Sequence, residues 1–166
     1  RNVKTLIKLY GYEIRRFNGI LGYINGADRL NFSEEFNEKL EKIIAEFNKF
    51  YTQEKVEMKA IFENDSLNFA IKTTKKYMDF EERSNGLKWY LNMFIQIMSE
   101  TNSTDIENYI ILIDEPGVYL HINAQKEVLK LFEDFATKNN QIIYTTHSPF
   151  MIYEDKLYRA RLIIKD

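Results

Sequence analysis

The chain reads as an α/β protein with a mainly parallel core sheet, flanking helices and a β-hairpin. Three observations predict this. One apolar run, Tyr109-Ile110-Ile111-Leu112-Ile113, ends in Asp114-Glu115-Pro116. A second, Gln141-Ile142-Ile143-Tyr144, ends in Thr145-Thr146-His147-Ser148. Between them lies a stretch of helical periodicity. Isoleucine-rich runs without period-two alternation are what strands buried on both faces require. Two such strands joined through a helix make a parallel unit, expected to be right-handed. In open parallel sheets ligands bind at the C-terminal strand ends. Asp114, Glu115 and His147 all fall there.

The remaining elements follow in order. Val3, Leu6, Ile7, Tyr10, Ile14 and Phe17 are spaced by three and four and predict an amphipathic helix over 3–17, weakened by Gly11 in its middle. Gly19, Gly22 and Gly26 mark turns. Ser33, with Glu35 and Phe36, predicts the start of a second helix, whose stripe is Phe36, Leu40, Ile43, Ile44, Phe47 and Tyr51. Val56–Phe62 and Leu67–Thr73 flank Glu63-Asn64-Asp65-Ser66 and predict a hairpin. A polar approach over 77–84 leads to a helix from Ser84 to Ser99, with Leu87, Tyr90, Leu91, Phe94, Ile95 and Met98 on its apolar face. A polar loop at 102–108 precedes the strand 109–113. Helix 123–138 turns Val128, Leu129, Leu131, Phe132 and Phe135 inward. Strand 141–145, a turn at Ser148-Pro149 and a last strand near Tyr158–Ile164 complete the chain.

With 166 residues and 45% hydrophobic content, one domain with a real core is expected across 1–166. It divides into a helical segment at 1–55, the hairpin at 56–76 and the motif-bearing region at 77–166. A net charge of −2 supplies no global basic field to draw in nucleic acid or anionic lipid. The absence of cysteine excludes disulfides, zinc thiolate sites and cysteine nucleophiles. No apolar run approaches the ~20 residues that span a bilayer, and no signal peptide is visible, so a soluble cytoplasmic protein is expected. The chain starts at Arg1 and ends on Ile163-Ile164-Lys165-Asp166, which reads as part of a longer protein.

Two adjacent carboxylates at a strand end can divide labour: one holds a metal ion and the other orients or deprotonates a water. Asp114 would hold Mg²⁺, mostly through water, and Glu115 would polarise the attacking water. The alternative is that the pair caps the turn made by Pro116-Gly117. His147 either touches a γ-phosphate or merely bonds local backbone, and its place after a strand, following an Asp-Glu pair, favours the first. His121 is as well explained by capping or packing. Ser84-Asn85-Gly86 offers a hydroxyl, a small backbone and a helix N-terminus, which suit phosphate but equally suit an ordinary N-cap. Arg83 beside it would add positive charge.

In this order and spacing the motifs resemble the second half of an ABC-type ATPase head. Ser84-Asn85-Gly86 resembles the signature motif, with Arg83 in place of the usual leucine and Asn85 in place of the first of two glycines. Ile110–Glu115 resembles the Walker B strand, Gly117–Asn123 the D-loop and His147 the switch histidine. Three longer stretches resemble the OLD (overcoming lysogenisation defect) family of ATP-dependent nucleases. They are Glu82-Arg83-Ser84-Asn85-Gly86-Leu87-Lys88-Trp89, Asp114-Glu115-Pro116-Gly117-Val118-Tyr119-Leu120-His121 and Thr146-His147-Ser148-Pro149-Phe150-Met151-Ile152. The resemblance covers about residues 79–164, with Ile122 where family D-loops often carry proline.

None of the six glycines stands in the Gly-x-x-x-x-Gly-Lys-[Ser/Thr] pattern of a phosphate-binding loop. The resemblance implies that this loop lies N-terminal to Arg1, that a Toprim nuclease follows Asp166, and that the fragment alone hydrolyses ATP poorly. It further implies ATP and Mg²⁺ as ligands and a homodimer of heads that sandwiches ATP. Ser84, Asn85 and Gly86 would then serve the partner's nucleotide, while Asp114, Glu115 and His147 serve their own. DNA would be met through the full-length protein, in phage defence or DNA repair, and no membrane is implied. Two alternatives stay open: an SMC-like or RecF-like ATPase without a nuclease, and a non-catalytic interaction module.

Overall fold

The computed structural model describes residues 26–63, 66–72, 76–101, 110–136 and 140–164. The helix expected at 3–17 and the loop expected at 102–108 lie outside the described residues. The chain divides into two compact units, Arg1–Ile106 and Glu107–Asp166.

In the first unit, helix α1 spans Gly26–Phe50 and so begins two turns before Ser33, where the capping signal predicted its start. Tertiary contacts support the extra turns. Arg29 donates to the Phe62 carbonyl at 3.3 Å, and the Phe32 ring meets Phe36 and Phe62 with centroids 6.3 and 5.5 Å away. Asp28 in the first turn complements the helix dipole. The expected stripe is buried at Phe36, Leu40, Ile44 and Phe47, with Ile43 at its half-buried margin.

The hairpin forms as expected. Strand β1 (Glu57–Glu63) pairs antiparallel with β2 (Ser66–Lys72), from Glu57 opposite Lys72 to Glu63 opposite Ser66. A third strand, β3 (Tyr77–Asp79), continues the sheet on β2, followed by a 3-10 turn at Phe80–Glu82. The sequence reading had only a polar approach here, because three residues are too few to show a period. Among the described residues strand β1 is an edge of this sheet, and α1 covers it in a specific way. Asn37 receives the Ala60 N–H at 2.8 Å and donates to its carbonyl at 3.0 Å; Asn48 does the same for Val56 at 2.9 and 2.8 Å. These amides substitute for a neighbouring strand and close an edge that would otherwise recruit one.

Helix α2 spans Asn85–Thr101, shifted slightly from the expected 84–99. It buries Leu87, Tyr90, Leu91, Phe94 and Ile95. Phe47 packs edge-on against Tyr90 and Phe94, each at 5.4 Å, and stacks on Tyr51 at 5.1 Å. Such aromatic pairs add to the gain from area burial and anchor this core.

In the second unit, β4 (Ile110–Ile113) runs parallel to β5 (Gln141–Tyr144), with Ile110 opposite Gln141 and Ile113 opposite Tyr144. Helix α3 (Ile122–Ala136) connects them and buries Val128, Leu129, Leu131, Phe132 and Phe135, as the periodicity predicted. The expectation that these strands are buried on both faces does not hold. Ile110 and Leu112 are 66% and 74% exposed, whereas Ile111 and Ile113 are half-buried. The described sheet has two strands, and Phe132 of α3 covers the face that carries Tyr144, at 5.3 Å between rings. One layer of helix buries one face.

The strand expected near 158–164 is also corrected. Residues Pro149–Met151 and Glu154–Arg159 form 3-10 turns, the second kinked at Lys156, and 160–164 are irregular and exposed. Among the described residues no strand stands ready to pair with this run. Instead Tyr153 donates its hydroxyl to the Leu129 carbonyl, and Lys156 pairs with Glu133, which ties the turn to α3. Burial, and then the neighbouring Glu133 carboxylate, raise the Tyr153 phenol, so it stays protonated and able to donate at ordinary pH.

Candidate functional site

The parallel register sets the geometry. Because Ile113 lies opposite Tyr144, both strands stop at the same level, and Thr145 donates its N–H back to Ile113 at 3.1 Å. Asp114-Glu115 and Thr145-Thr146-His147 therefore leave the sheet side by side. The Thr145 hydroxyl bridges them. It donates to Asp114 Oδ1 and accepts the Glu115 N–H at 3.1 Å. One step further out, His147 donates its N–H to Glu115 Oε2 at 3.2 Å, and its Nε2 lies 3.4 Å from Glu115 Oε1.

The structure thus brings together Asp114, Glu115 and His147, three residues singled out from sequence. The His147 imidazole is 98% exposed while the Glu115 side chain is 32% exposed. Histidine presents its ring to solvent; glutamate is held against it. Glu115 also adopts φ +49°, a left-handed conformation rare for a residue with a side chain. Strain of this sort persists where neighbours over-determine it and gathers at functional positions. Here the Thr145 and His147 hydrogen bonds clasp Glu115 by both its amide and its carboxylate.

Asp114 is exposed beside a hydroxyl at a strand end, a hard-oxygen donor set. Among the described residues no group of three or more His, Cys, Asp or Glu could hold a metal by itself. A lone carboxylate with a neighbouring hydroxyl fits Mg²⁺, which keeps several waters and takes other oxygens from a phosphate ligand. It does not fit a cation that needs an all-protein cage.

Pro116 and Gly117 are buried in the turn after Glu115. Gly117 has φ +86°, and a Cβ there would lie 3.3 Å from Gln125 Cγ and 3.4 Å from Met151 Sδ. The positive φ calls for glycine, and the approach to Gln125 leaves a side chain little space. His121 is exposed, and its carbonyl accepts the Gln125 N–H in the first turn of α3, in keeping with the capping reading.

In the first unit, Ser84 stands immediately before α2 and its Oγ accepts the Leu87 N–H at 3.3 Å. That is an N-cap bond. Ser84 and Asn85 are exposed and Gly86 half-buried, so the hydroxyl proton and the leading amides remain open to an anion. Arg83 does not add free positive charge, because its guanidinium pairs with Glu54 and also meets Met78 Sδ at 3.8 Å.

Two further residues escaped the sequence reading as site members. Thr145 carried only the weak signal of a hydroxyl at a strand end. Gln125 carried a better one, since it lies on the apolar stripe of α3 with Ala124, Val128, Leu129 and Phe132 and is itself buried. A polar side chain on a buried stripe asks for partners.

Comparison with known proteins bears on the family and the fold. The profile of the AAA ATPase domain family matches residues 23–152. An uncharacterised protein from Methanocaldococcus jannaschii is 37% identical over 111 residues, covering 64% of this chain and 27% of its own length. An OLD nuclease from Thermus scotoductus is 40% identical over 57 residues, covering 34% of this chain and 11% of its own length. The chain therefore spans about a quarter of the first relative and about a tenth of the second. Among solved structures, an Smc head bound to the C-winged helix domain of ScpA superposes with a TM-score of 0.53 at 20% identity, covering 81% of this chain and 41% of that one. The Smc head domain with a coiled coil and joint from Pyrococcus yayanosii gives 0.52 at 21%, covering 71% and 23%. At such identity the likeness is one of fold, an α/β ATPase head.

Proposed function

The chain belongs to the AAA ATPase domain family, and from that premise we propose that it forms the C-terminal part of an ATP-binding and hydrolysing head. The single observation that carries the proposal is the clasp at the strand ends, in which Asp114, Thr145, Glu115 and His147 are linked by hydrogen bonds. A merely structural turn has no use for an exposed carboxylate, an exposed imidazole and a strained glutamate in one chain of contacts.

Asp114 is the carboxylate that would hold Mg²⁺, chiefly through water, and the ion would supply positive charge at the phosphate oxygens. Glu115 accepts a proton from the attacking water, and the His147 backbone N–H holds Oε2 so that the carboxylate stays aimed, with Oε1 turned toward the His147 ring. The exposed ring of His147 contacts the γ-phosphate and so distinguishes the triphosphate from the diphosphate. Ser84, Asn85 and Gly86 contact the γ-phosphate of a partner head across α2's N-terminus, so that ATP holds a homodimer together and hydrolysis releases it. The phosphate-binding loop belongs to another part of the complete protein.

The 57-residue likeness to an OLD nuclease supports an attached DNA nuclease that the head controls, in phage defence or DNA repair. A second reading, a head that dimerises on ATP without a nuclease, is compatible with the same α/β ATPase-head fold. Turnover of ATP by the complete protein, wild type against Glu115→Gln, tests the common core of both. Loss of turnover with an ATP-stabilised dimer is expected; undiminished turnover refutes the role of Glu115. Cleavage of DNA by the same preparation in magnesium separates the two readings.

A further inference from the structure

Gln125 stands on α3 where the surrounding pattern calls for an apolar residue, and it is only 9% exposed. A buried amide is tolerated when its polar atoms are paired. Its Nε2 donates to the carbonyls of Gly117 and Leu120, both at 3.1 Å. Carbonyls only accept, so the nitrogen must face them, and Oε1 is turned the other way. There it accepts the Ser148 hydroxyl at 2.7 Å. One side chain thus joins two loops: the turn that leaves Glu115, and the segment that carries His147.

The junction is closely packed. A Cβ on Gly117 would sit tightly against Gln125 Cγ at 3.3 Å and in contact with Met151 Sδ at 3.4 Å. Met151 is fully buried, and its carbonyl accepts the Tyr144 hydroxyl from β5. Ser148 is itself held locally, its N–H donating to Thr146 Oγ1 at 3.0 Å. A shift of the segment at 147–151 therefore acts directly on Gln125 through the Ser148 hydrogen bond.

We infer that Gln125 is a positioning residue, coupling the turn after Glu115 to the His147 segment through its hydrogen bonds to Gly117, Leu120 and Ser148. The inference rests on the roles proposed for Glu115 and His147. Its consequence is that contact of His147 with a phosphate is transmitted to the backbone that aims Glu115, and the reverse.

The test uses the complete protein with Gln125→Met, Ser148→Ala, the double variant, and Ser148→Thr as the conservative replacement, beside Glu115→Gln. Each of Gln125→Met and Ser148→Ala should lower kcat for ATP about tenfold while KM for ATP stays within about twofold. The double variant should be no worse than the worse single, since both break one link. Ser148→Thr, which keeps the hydroxyl, should restore kcat. In Gln125→Met, amide exchange should quicken in 117–121 and 147–149 together. Wild-type kcat in Ser148→Ala, or independent multiplying losses, would overturn the coupling even where Gln125→Met fails to fold. If these occur while Glu115→Gln abolishes turnover, the hydrolytic reading stands without the coupling. If turnover survives Glu115→Gln, the hydrolytic reading falls, and faster exchange confined to one loop then refutes the coupling separately.

Discussion

Replacing Thr145 with valine keeps the branched shape of the side chain and removes the hydroxyl that joins the two strand ends. In the native protein that hydroxyl accepts the Glu115 N–H at 3.1 Å and donates to the Asp114 carboxylate. A neutral hydrogen bond contributes about 0.5–1.5 kcal/mol net, and one to a charged group about 1.5–3 kcal/mol. Thr145 and Asp114 are exposed, so water replaces the lost partners and the lower ends apply. A total of about 2 kcal/mol of stability should be lost. The effect on chemistry should be larger. Glu115 sits at φ +49°, and a left-handed conformation costs a residue with a Cβ about 1–2 kcal/mol. Without the Thr145 hydroxyl, one of the two bonds that hold this conformation is gone, and the backbone can relax toward negative φ. A displacement of about 1 Å in a catalytic group can cost about a hundredfold in rate. The complete protein carrying Thr145→Val should therefore turn over ATP about ten to a hundred times more slowly and need more magnesium for half-maximal activity. Steady-state ATP turnover across a magnesium series, with thermal melting alongside, is the assay. Thr145→Ser, which keeps the hydroxyl, should behave nearly as wild type. Wild-type kcat and magnesium dependence in Thr145→Val would refute the role given to the clasp.

Two further outcomes are expected. Gly117→Ala should destabilise by about 1–2 kcal/mol from its positive φ alone, and by somewhat more where the new Cβ meets Gln125 Cγ at 3.3 Å; denaturant melts check this, and an unchanged midpoint would mean the turn rearranges freely. Ser84→Arg should abolish ATP-driven dimerisation while nucleotide binding to the protomer persists, read by size-exclusion chromatography and a binding titration. Losing the cap bond to Leu87 should cost about 1 kcal/mol, so a matching melt shows that the variant remains folded. Loss of binding in the isolated protomer would instead mean that Ser84 acts within its own head.

Much of the candidate site was legible before the fold was known, and for a definite reason. A strand that ends at a ligand site changes character abruptly, from apolar residues to carboxylates or histidine, and Ile113-Asp114-Glu115 and Tyr144-Thr145-Thr146-His147 both do so. The structure sets these ends side by side as expected. Other features were invisible because they depend on distant partners. Helix α1 starts early since Arg29 and Phe32 find Phe62 on β1, and no capping rule reports that. The run at 158–164 has the apolar content of a strand, but strand formation needs a neighbour, and Tyr153 and Lys156 fasten the chain to α3 instead.

The sequence by itself determined the types of the long elements and the level at which the chemistry sits. Apolar spacing over many residues, as in Phe36, Leu40, Ile44 and Phe47 or Val128, Leu129 and Phe132, states which side of a helix meets an apolar layer. Only the tertiary structure decided which residues stand opposite one another. Thr145 meets Asp114 and Glu115, Gln125 meets Ser148, and Glu115 is held in a left-handed turn, all through hydrogen bonds between separate segments. Periodicity encodes a direction toward the core. It carries no register between segments, and hydrogen bonds, being short and directional, are set by register.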